Sequence, residues 1–134
     1  MLLVIAMADA YAAAFEFAEK DYIEENNCLT KYHRPDAGCY TDDTQMSIAI
    51  SELMVNEIGQ WNKQLVAEYF LKAFKRDPRK SYSTDFYNFL MNTETSKTFI
   101  ENINADSVRN GSAMRSVPLG LIKEKSEMLE KAKI

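Results

Sequence analysis

The sequence predicts an all-α fold, and three observations support this prediction. Apolar residues recur every three to four positions in several stretches, which is the spacing of one face of a helix. With 4 glycines and 3 prolines in 134 residues, the chain has little material for the turns of an all-β fold. A content of 46% hydrophobic and 27% charged residues is ordinary for a globular protein, and the length suits a single domain, residues 1–134.

Charge and cysteine content exclude several classes of function. The formal net charge is −4 and no run of lysine and arginine forms a basic patch, which argues against nucleic-acid binding. Asp9 interrupts the apolar N-terminus well short of a bilayer span, and no basic residue precedes that stretch, so neither a membrane anchor nor a targeting peptide is expected. Cys28 and Cys39 lack zinc-site spacing. We interpret them as reduced thiols of a cytoplasmic protein, a disulfide between them being the alternative.

Hydrophobic periodicity locates the helices. The alanine-rich stretch Leu2 to Phe17 is predicted to be a buried N-terminal helix. Residues 20–38 carry turn signals and are predicted to be an irregular connection; His33, the only histidine, lies here and receives no catalytic role. A last helical region from Ser112 onward is predicted to bend at Pro118, because proline lacks the backbone N–H. The other predicted helices cover residues 44–57, 62–75, 81–92 and 93–104, and residues 104–111 are predicted to be a loop.

The stretch Thr41-Asp42-Asp43-Thr44 is the main candidate for a functional site. All four side chains carry oxygen, and the apolar stripe of a helix follows them. One interpretation is a helix N-cap, because such oxygens accept the unpaired N–H groups of the first turn. The other is a site for a hard cation, because neighbouring carboxylates repel each other and a divalent ion relieves that repulsion. A single aspartate would be enough for a cap.

Two further groups of polar residues are candidates. Asp9 and Glu16 are seven residues apart, so they would share one face of an N-terminal helix, either exposed to solvent or directed to a function. Asn110-Gly111 before a helix start allows a close backbone approach and offers N–H groups to an anion, and Arg115 one turn later adds a positive charge. The alternative for this second group is an ordinary Asn-Gly turn.

Together these motifs resemble those of the ADP-ribosylglycohydrolase family in order and spacing. The resemblance implies a compact, orthogonal all-α domain with a dinuclear Mg²⁺ centre in a cleft. It also implies hydrolysis of the N- or O-glycosidic bond to ADP-ribose in a modified protein or a small ADP-ribosyl compound. The residues that carry it are Ala8-Asp9-Ala10 with Glu16-Phe17, then Thr41 to Met46, then Asn110 to Arg115 with Pro118.

The resemblance implies a role for each matching residue. Thr41, Asp42 and Asp43 would be metal ligands, and the two aspartates would thereby act in catalysis. Glu16 would act near the scissile bond, and Asp9 would support the first helix near the site. Both side chains are expected to project toward Thr41 to Thr44, at the start of the next helix. The loop that holds the ADP-ribose, and the start of the helix behind it, would comprise Asn110, Gly111, Ser112, Met114 and Arg115.

The sequence departs from the family pattern in two respects. Ala8 and Ala12 replace the glycines usual in the first motif, and the added methyl groups would narrow the site. Family members are longer, and the second acidic and threonine motif that completes their metal site has no counterpart after Asp43. The chain is therefore expected to be the N-terminal half of such a domain, with weak Mg²⁺ binding and negligible hydrolysis unless a longer polypeptide or a second chain completes the site.

Two other classes of function remain open on the sequence. One is a non-catalytic relative that binds ADP-ribose or a metal ion, and the other is a structural helical domain. Apolar stripes on at least four helices also suggest that some apolar surface stays exposed, so self-association of the chain is expected.

Overall fold

The computed structural model describes residues 1–28, 39–104 and 110–134 of the chain. Every regular element in these ranges is helical and none is a strand, which confirms the all-α prediction. The α-helices are α1 (Leu2–Ala12), α2 (Lys20–Asn26), α3 (Asp42–Asn56), α4 (Lys63–Arg76), α5 (Thr84–Asn92), α6 (Ser96–Asn102), α7 (Gly111–Met114) and α8 (Lys125–Ala132). A 3₁₀ helix, Val117–Leu121, lies between α7 and α8. None of the described helices is long and apolar enough to span a bilayer.

Helices α3 and α4 form the centre of the domain and pack against each other. Their apolar faces follow the predicted spacing, and the buried side chains are Met46, Ala49, Ile50 and Leu53 on α3 and Ala67, Tyr69, Phe70, Leu71, Ala73 and Phe74 on α4. Helix α6 packs on α4 through Phe99, whose ring centre lies 6.5 Å from that of Phe70. Because α1, α7 and the 3₁₀ helix all contact α3, the central helix also organises the N- and C-terminal parts.

The helix ends agree with capping rules in the middle of the chain. Asn62 Oδ1 accepts a hydrogen bond from the Leu65 N–H at 2.9 Å and starts α4, as the prediction over 62–75 requires. Thr95 Oγ1 likewise accepts from the Thr98 N–H at 3.1 Å at the start of α6. Helix α3 begins two residues before its predicted start, at Asp42. Gly59, with φ 116°, lies in the turn that follows α3.

The prediction for the N-terminal helix is wrong in length and in burial. Helix α1 ends at Ala12, and Phe17 has a φ of 62°, in the left-handed region that an α-helix cannot include. Leu3 and Val4 are 73% and 68% exposed, and Ala10 is the buried residue of the helix. The physical reason is that α1 is apolar on every side, whereas only one side can pack against α3.

Two other segments differ from their predictions. Residues 20–26 form α2 within the predicted irregular connection, and Lys20 and Glu24, four residues apart, form an ion pair at 3.4 Å on it. The rest of that connection, residues 29–38 with His33, and residues 105–109 of the predicted loop lie outside the described residues. The single bent helix predicted from Ser112 onward is instead three pieces, because Pro118 is accommodated in a 3₁₀ helix that separates α7 from α8.

Candidate active site

The carboxylate of Asp9, on α1, caps the N-terminus of α3. Asp9 Oδ2 accepts hydrogen bonds from the Thr41 N–H at 2.8 Å, the Thr44 N–H at 3.2 Å and the Thr44 hydroxyl at 2.6 Å. Asp9 Oδ1 accepts from the Thr41 hydroxyl at 2.6 Å. Thr41 occupies the N-cap position of α3, as the capping interpretation expects, but its side chain makes no capping hydrogen bond. The carboxylate of Asp9, an acid from another helix, accepts hydrogen bonds from the N–H groups of Thr41 and Thr44 instead.

Asp42 and Asp43 form a half-buried pair in the first turn of α3. Burial raises the pKa of the Asp42 carboxyl, and the nearby charge of Asp9 raises it further. Burial also raises the pKa of Asp43, followed by the charges of Asp42, Asp9 and Glu16. None of the salt bridges between described residues involves either carboxylate. The start of α3 therefore concentrates negative charge that the helix dipole offsets only in part.

The segment after α4 supports the same helix start from a second side. The Ser81 hydroxyl accepts a hydrogen bond from the Asp42 N–H at 2.9 Å. Gln45, only 2% exposed, donates from Nε2 to the Asp77 carbonyl at 2.7 Å and accepts from the Tyr82 hydroxyl at 2.8 Å. Because both polar ends of a buried amide are satisfied, this contact fixes the position of α3 relative to residues 77–82.

A cluster of Tyr40, Asp77 and Arg79 lies beside Thr41. Arg79 donates from Nε and from one terminal nitrogen to Asp77 Oδ2, at 2.8 and 2.6 Å, and the Tyr40 hydroxyl donates to the same oxygen at 2.9 Å. These bonds, first from Arg79 and then from Tyr40, lower the pKa of Asp77. The guanidinium also lies 3.9 Å from the centre of the Tyr40 ring. These contacts hold Tyr40, the residue that precedes Thr41, in place.

A groove of about 810 Å³ runs past this helix start. Glu16 and Thr41 both line it, so the predicted approach of Glu16 to the 41–44 segment is observed, although Glu16 lies in the turns after α1 and not on a shared helical face. Asp42 and Asp43 do not line the groove themselves; they follow Thr41 directly. The complete lining is Ala10, Ala13, Ala14, Glu16, Phe17, Cys39, Tyr40, Thr41, Asp77, Pro78, Arg79, Lys80 and Ser81.

The predicted ADP-ribose loop lies at another part of α3. Asn110 starts the four-residue α7 without a side-chain capping bond, and neither it nor Gly111, Ser112 or Arg115 lines the groove. Helix α7 packs against α3, where the Ser47 hydroxyl donates to the Met114 carbonyl at 3.2 Å. Since Ser47 is one turn after Asp43, α7 contacts α3 about one turn from the acid pair. The Arg115 guanidinium lies 5.2 Å from the centre of the Phe70 ring, and burial lowers its pKa.

A family comparison decides how these features are interpreted. The model of the ADP-ribosylglycohydrolase family matches residues 1–134. The chain belongs to the ADP-ribosylglycohydrolase family. No curated protein and no solved structure matches the chain. ADP-ribosylglycohydrolases are hydrolases and typically depend on metal ions, so the acid pair on α3 is the part of this structure to test against a metal.

The donors at the start of α3 fit a divalent cation in type but not in number. Thr41, Asp42 and Asp43 offer the hard oxygens that Mg²⁺ prefers, and the acid pair carries charge that no salt bridge between described residues balances. Within residues 1–28, 39–104 and 110–134, however, no three Asp, Glu, His or Cys side chains converge on one point. An ion held by this ADP-ribosylglycohydrolase chain therefore takes part of its ligand shell from water or from other residues.

Sequence reasoning missed several residues that build the site. Ser81, Tyr82, Arg79 and Gln45 received no role, although Gln45 belongs to the quoted motif. In the sequence, Asp77-Pro78 indicates only the end of the helix predicted over residues 62–75. A usable signal was the polar residue Gln45 in the buried stripe of α3, because a buried amide requires partners.

Phe17, at the edge of the groove, is expected to be strained. Its φ is 62° and its side chain is 96% exposed, so it combines an unfavourable backbone with little burial. Replacing it with glycine removes the strain, whereas alanine keeps it. We expect Phe17→Gly to be more stable to urea than Phe17→Ala by about 1 kcal/mol. Equal stability of the two variants, or greater stability of the alanine variant, would contradict the left-handed backbone at this residue.

Proposed function

We propose that the protein is a Mg²⁺-dependent hydrolase that cleaves the glycosidic bond between ADP-ribose and a modified protein side chain, or a related ADP-ribosyl compound. The observation that carries this proposal is the Asp42–Asp43 pair, which Asp9 and Ser81 fix at the start of α3 without a salt-bridge partner among the described residues. Half-buried carboxylates with raised pKa values are costly to a fold and cluster at functional sites. Family membership supplies the class of reaction.

The residues are proposed to divide the work as follows. Thr41, Asp42 and Asp43 hold the metal, two ions being expected in a complete site. Bound Mg²⁺ would acidify a water molecule and hold the ribose hydroxyls, so the reaction needs no nucleophilic side chain. Glu16 is exposed in the groove beside Thr41, where it can accept a proton from that water or orient it.

The remaining contacts to the substrate are assigned from charge and backbone geometry. Lys80 lines the groove and brings a positive charge to it, which suits the diphosphate of an ADP-ribosyl compound. Asn110, Gly111 and Ser112, with Arg115 behind them, remain the proposed loop for ADP-ribose. Helix α7, where these residues lie, packs against α3 away from the groove. A bound ligand would therefore have to extend along α3 from the acid pair.

The number of ligands leads to the proposal that other residues complete the metal site. Mg²⁺ demands near-ideal octahedral coordination, and Thr41, Asp42 and Asp43 supply at most part of two such shells. We expect the 134 residues alone to bind Mg²⁺ weakly and to release little ADP-ribose. A longer polypeptide, or a second chain, that adds the acidic and threonine motif typical of the family should restore both.

The experiment is an assay of ADP-ribose release from arginine- or serine-modified protein, with and without Mg²⁺. It is run on the 134-residue chain and on a longer polypeptide that adds the second motif. Release that requires both Mg²⁺ and the second motif supports the proposal. Robust release by the 134 residues alone would contradict the proposal that other residues complete the metal site. A longer polypeptide that binds Mg²⁺ without any release would contradict the hydrolase assignment.

A second candidate function is non-catalytic binding of ADP-ribose or a metal ion. The observation that favours it is the lack of three converging ligand side chains in the described parts of the chain. The same assay separates the two functions, because this candidate requires binding without turnover even when the second motif is present.

Exposed apolar residues on α1 are expected to cause self-association. Leu3 and Met7, four residues apart on one side of the helix, are 73% and 55% exposed. A second copy of the chain that packs there would cover them. The mass from light scattering should rise with concentration, and Leu3→Lys with Met7→Lys should suppress the rise. Val55→Lys, which replaces an 80% exposed valine on α3, is the control and should not. A constant monomer mass for the unaltered chain would contradict this prediction.

A further inference from the structure

We propose that Asp9 is a positioning residue that sets the direction of the Thr41 hydroxyl, and through it the ability of Thr41 to bind a metal ion. The inference rests on the proposed function, because it concerns the same candidate ligands. Asp9 does more than cap a helix: one of its oxygens holds the helix start, and the other holds the Thr41 side chain alone.

The Thr41 hydroxyl has one proton and two carboxylate oxygens to which it can donate it. Its oxygen lies 2.6 Å from Asp9 Oδ1 and 3.4 Å from Asp43 Oδ2. Hydrogen bonds between oxygens are strongest near 2.7 Å, so the proton belongs to the Asp9 bond. Thr41 and Asp43 then face each other with lone pairs and no proton between them. Both oxygens would then have lone pairs free to serve as ligands of a cation, and Asp9 is the group that leaves them so.

The two oxygens of Asp9 can be tested separately because their partners differ. Oδ2 accepts three bonds, from the Thr41 N–H, the Thr44 N–H and the Thr44 hydroxyl, whereas Oδ1 accepts only from the Thr41 hydroxyl. In Asp9→Asn the amide oxygen can replace Oδ2 and keep the cap. The amide nitrogen then stands at the place of Oδ1 and donates to the Thr41 hydroxyl. Thr41 must turn its own proton away, and Asp43 Oδ2 is the acceptor within 3.4 Å. The variant thus keeps the cap but blocks the lone pairs.

The test measures Mg²⁺ binding and stability together. Mg²⁺ is titrated into the 134-residue chain while the amide signals of Thr41, Asp42 and Asp43 are followed by NMR, which detects weak binding, and unfolding is measured in urea. The variants are Asp9→Asn, Asp9→Ala and Thr41→Val. Asn62→Ala serves as the control, because it removes a helix-capping hydrogen bond from α4 and leaves the start of α3 unchanged.

We expect Asp9→Asn to raise the Kd for Mg²⁺ at least tenfold, the scale of losses at residues that orient metal ligands, while the urea midpoint changes little. Thr41→Val should weaken binding as much. Asn62→Ala should lower the urea midpoint and leave the Kd unchanged. Asp9→Ala should also expose the Thr44 amide to faster hydrogen exchange, since the cap is lost.

Two results would overturn the inference in different ways. If the unaltered chain and Asp9→Asn bind Mg²⁺ equally well, Asp9 does not position Thr41, and the proposed function stands. If Mg²⁺ leaves the signals of Asp42 and Asp43 unchanged even in a longer polypeptide that adds the second motif, the metal assignment fails and the role of Asp9 fails with it. Should Asp9→Ala not fold, Asp9→Asn and Thr41→Val still decide the matter.

Discussion

Asp42→Asn together with Asp43→Asn is expected to abolish Mg²⁺-dependent release of ADP-ribose while leaving the fold intact. Mutation of a residue that only orients a metal ligand typically lowers activity about 10- to 100-fold. The loss of two ligand charges should therefore lower release at least about 100-fold. The control is Asp85→Asn, which replaces an exposed acid in the first turn of α5 and should leave release unchanged. Both variants are compared with the unaltered protein in the longer polypeptide, which is expected to release ADP-ribose.

The same double variant should be no less stable than the original protein. Folding raises the pKa of both carboxyls, first because they are buried, so their ionised forms are less favourable in the folded than in the unfolded state. The destabilisation grows as pH rises from the ordinary value of 3.8 through the raised pKa, and asparagine removes it. Unfolding in urea at neutral pH measures this. Full release by the double variant would contradict the metal assignment, and a large loss of stability would contradict the view that the pair serves function and not the fold.

Phe74→Ala is expected to cause the largest loss of stability, about 3–5 kcal/mol. Phe74 is 1% exposed and its ring centre lies 5.6 Å from that of Tyr82 and 5.5 Å from that of Tyr87. Its removal leaves a cavity in the core and frees Tyr82, whose hydroxyl holds the buried Gln45 of α3.

Urea unfolding measures this loss, and Ile58→Ala is the control. Ile58 is 100% exposed, so its replacement should change the free energy of unfolding by less than about 0.5 kcal/mol. A loss below about 1 kcal/mol for Phe74→Ala would contradict the placement of this ring in the core.

The parts of the fold that the sequence predicts correctly are those with one-sided helices. Helix α4 has apolar residues on one face and an asparagine cap, and both signals are local. Helix α1 has apolar residues on all faces, so its pattern indicates a helix but not which side packs or where it ends. Helix α2 shows no sustained apolar period, and its sequence offers the Lys20–Glu24 spacing instead. Hydrophobic periodicity therefore does not predict this helix.

The candidate site divides in the same way between local and long-range information. Asp42 and Asp43 stand out because they are adjacent, and family resemblance adds Glu16 and Asp9 near them. The approach of Asp9 to residues 41–44 is a prediction that the structure confirms, but the sequence does not identify its hydrogen bonds to Thr41 and Thr44, which lie 32 and 35 residues away. The bond between Ser81 and Asp42 likewise spans 39 residues. Contacts of this kind depend on how α1 and the segment after α4 pack against α3, which no local pattern contains.

The central claim, that Thr41, Asp42 and Asp43 hold the catalytic metal, is tested most directly by diffraction from crystals soaked in Mn²⁺. Mn²⁺ accepts the same oxygen ligands as Mg²⁺ and gives an anomalous signal that locates it. We expect an anomalous peak in contact with the side-chain oxygens of Asp42 and Asp43 and with the Thr41 hydroxyl. No peak at the start of α3, at a Mn²⁺ concentration that supports release of ADP-ribose, would contradict the account.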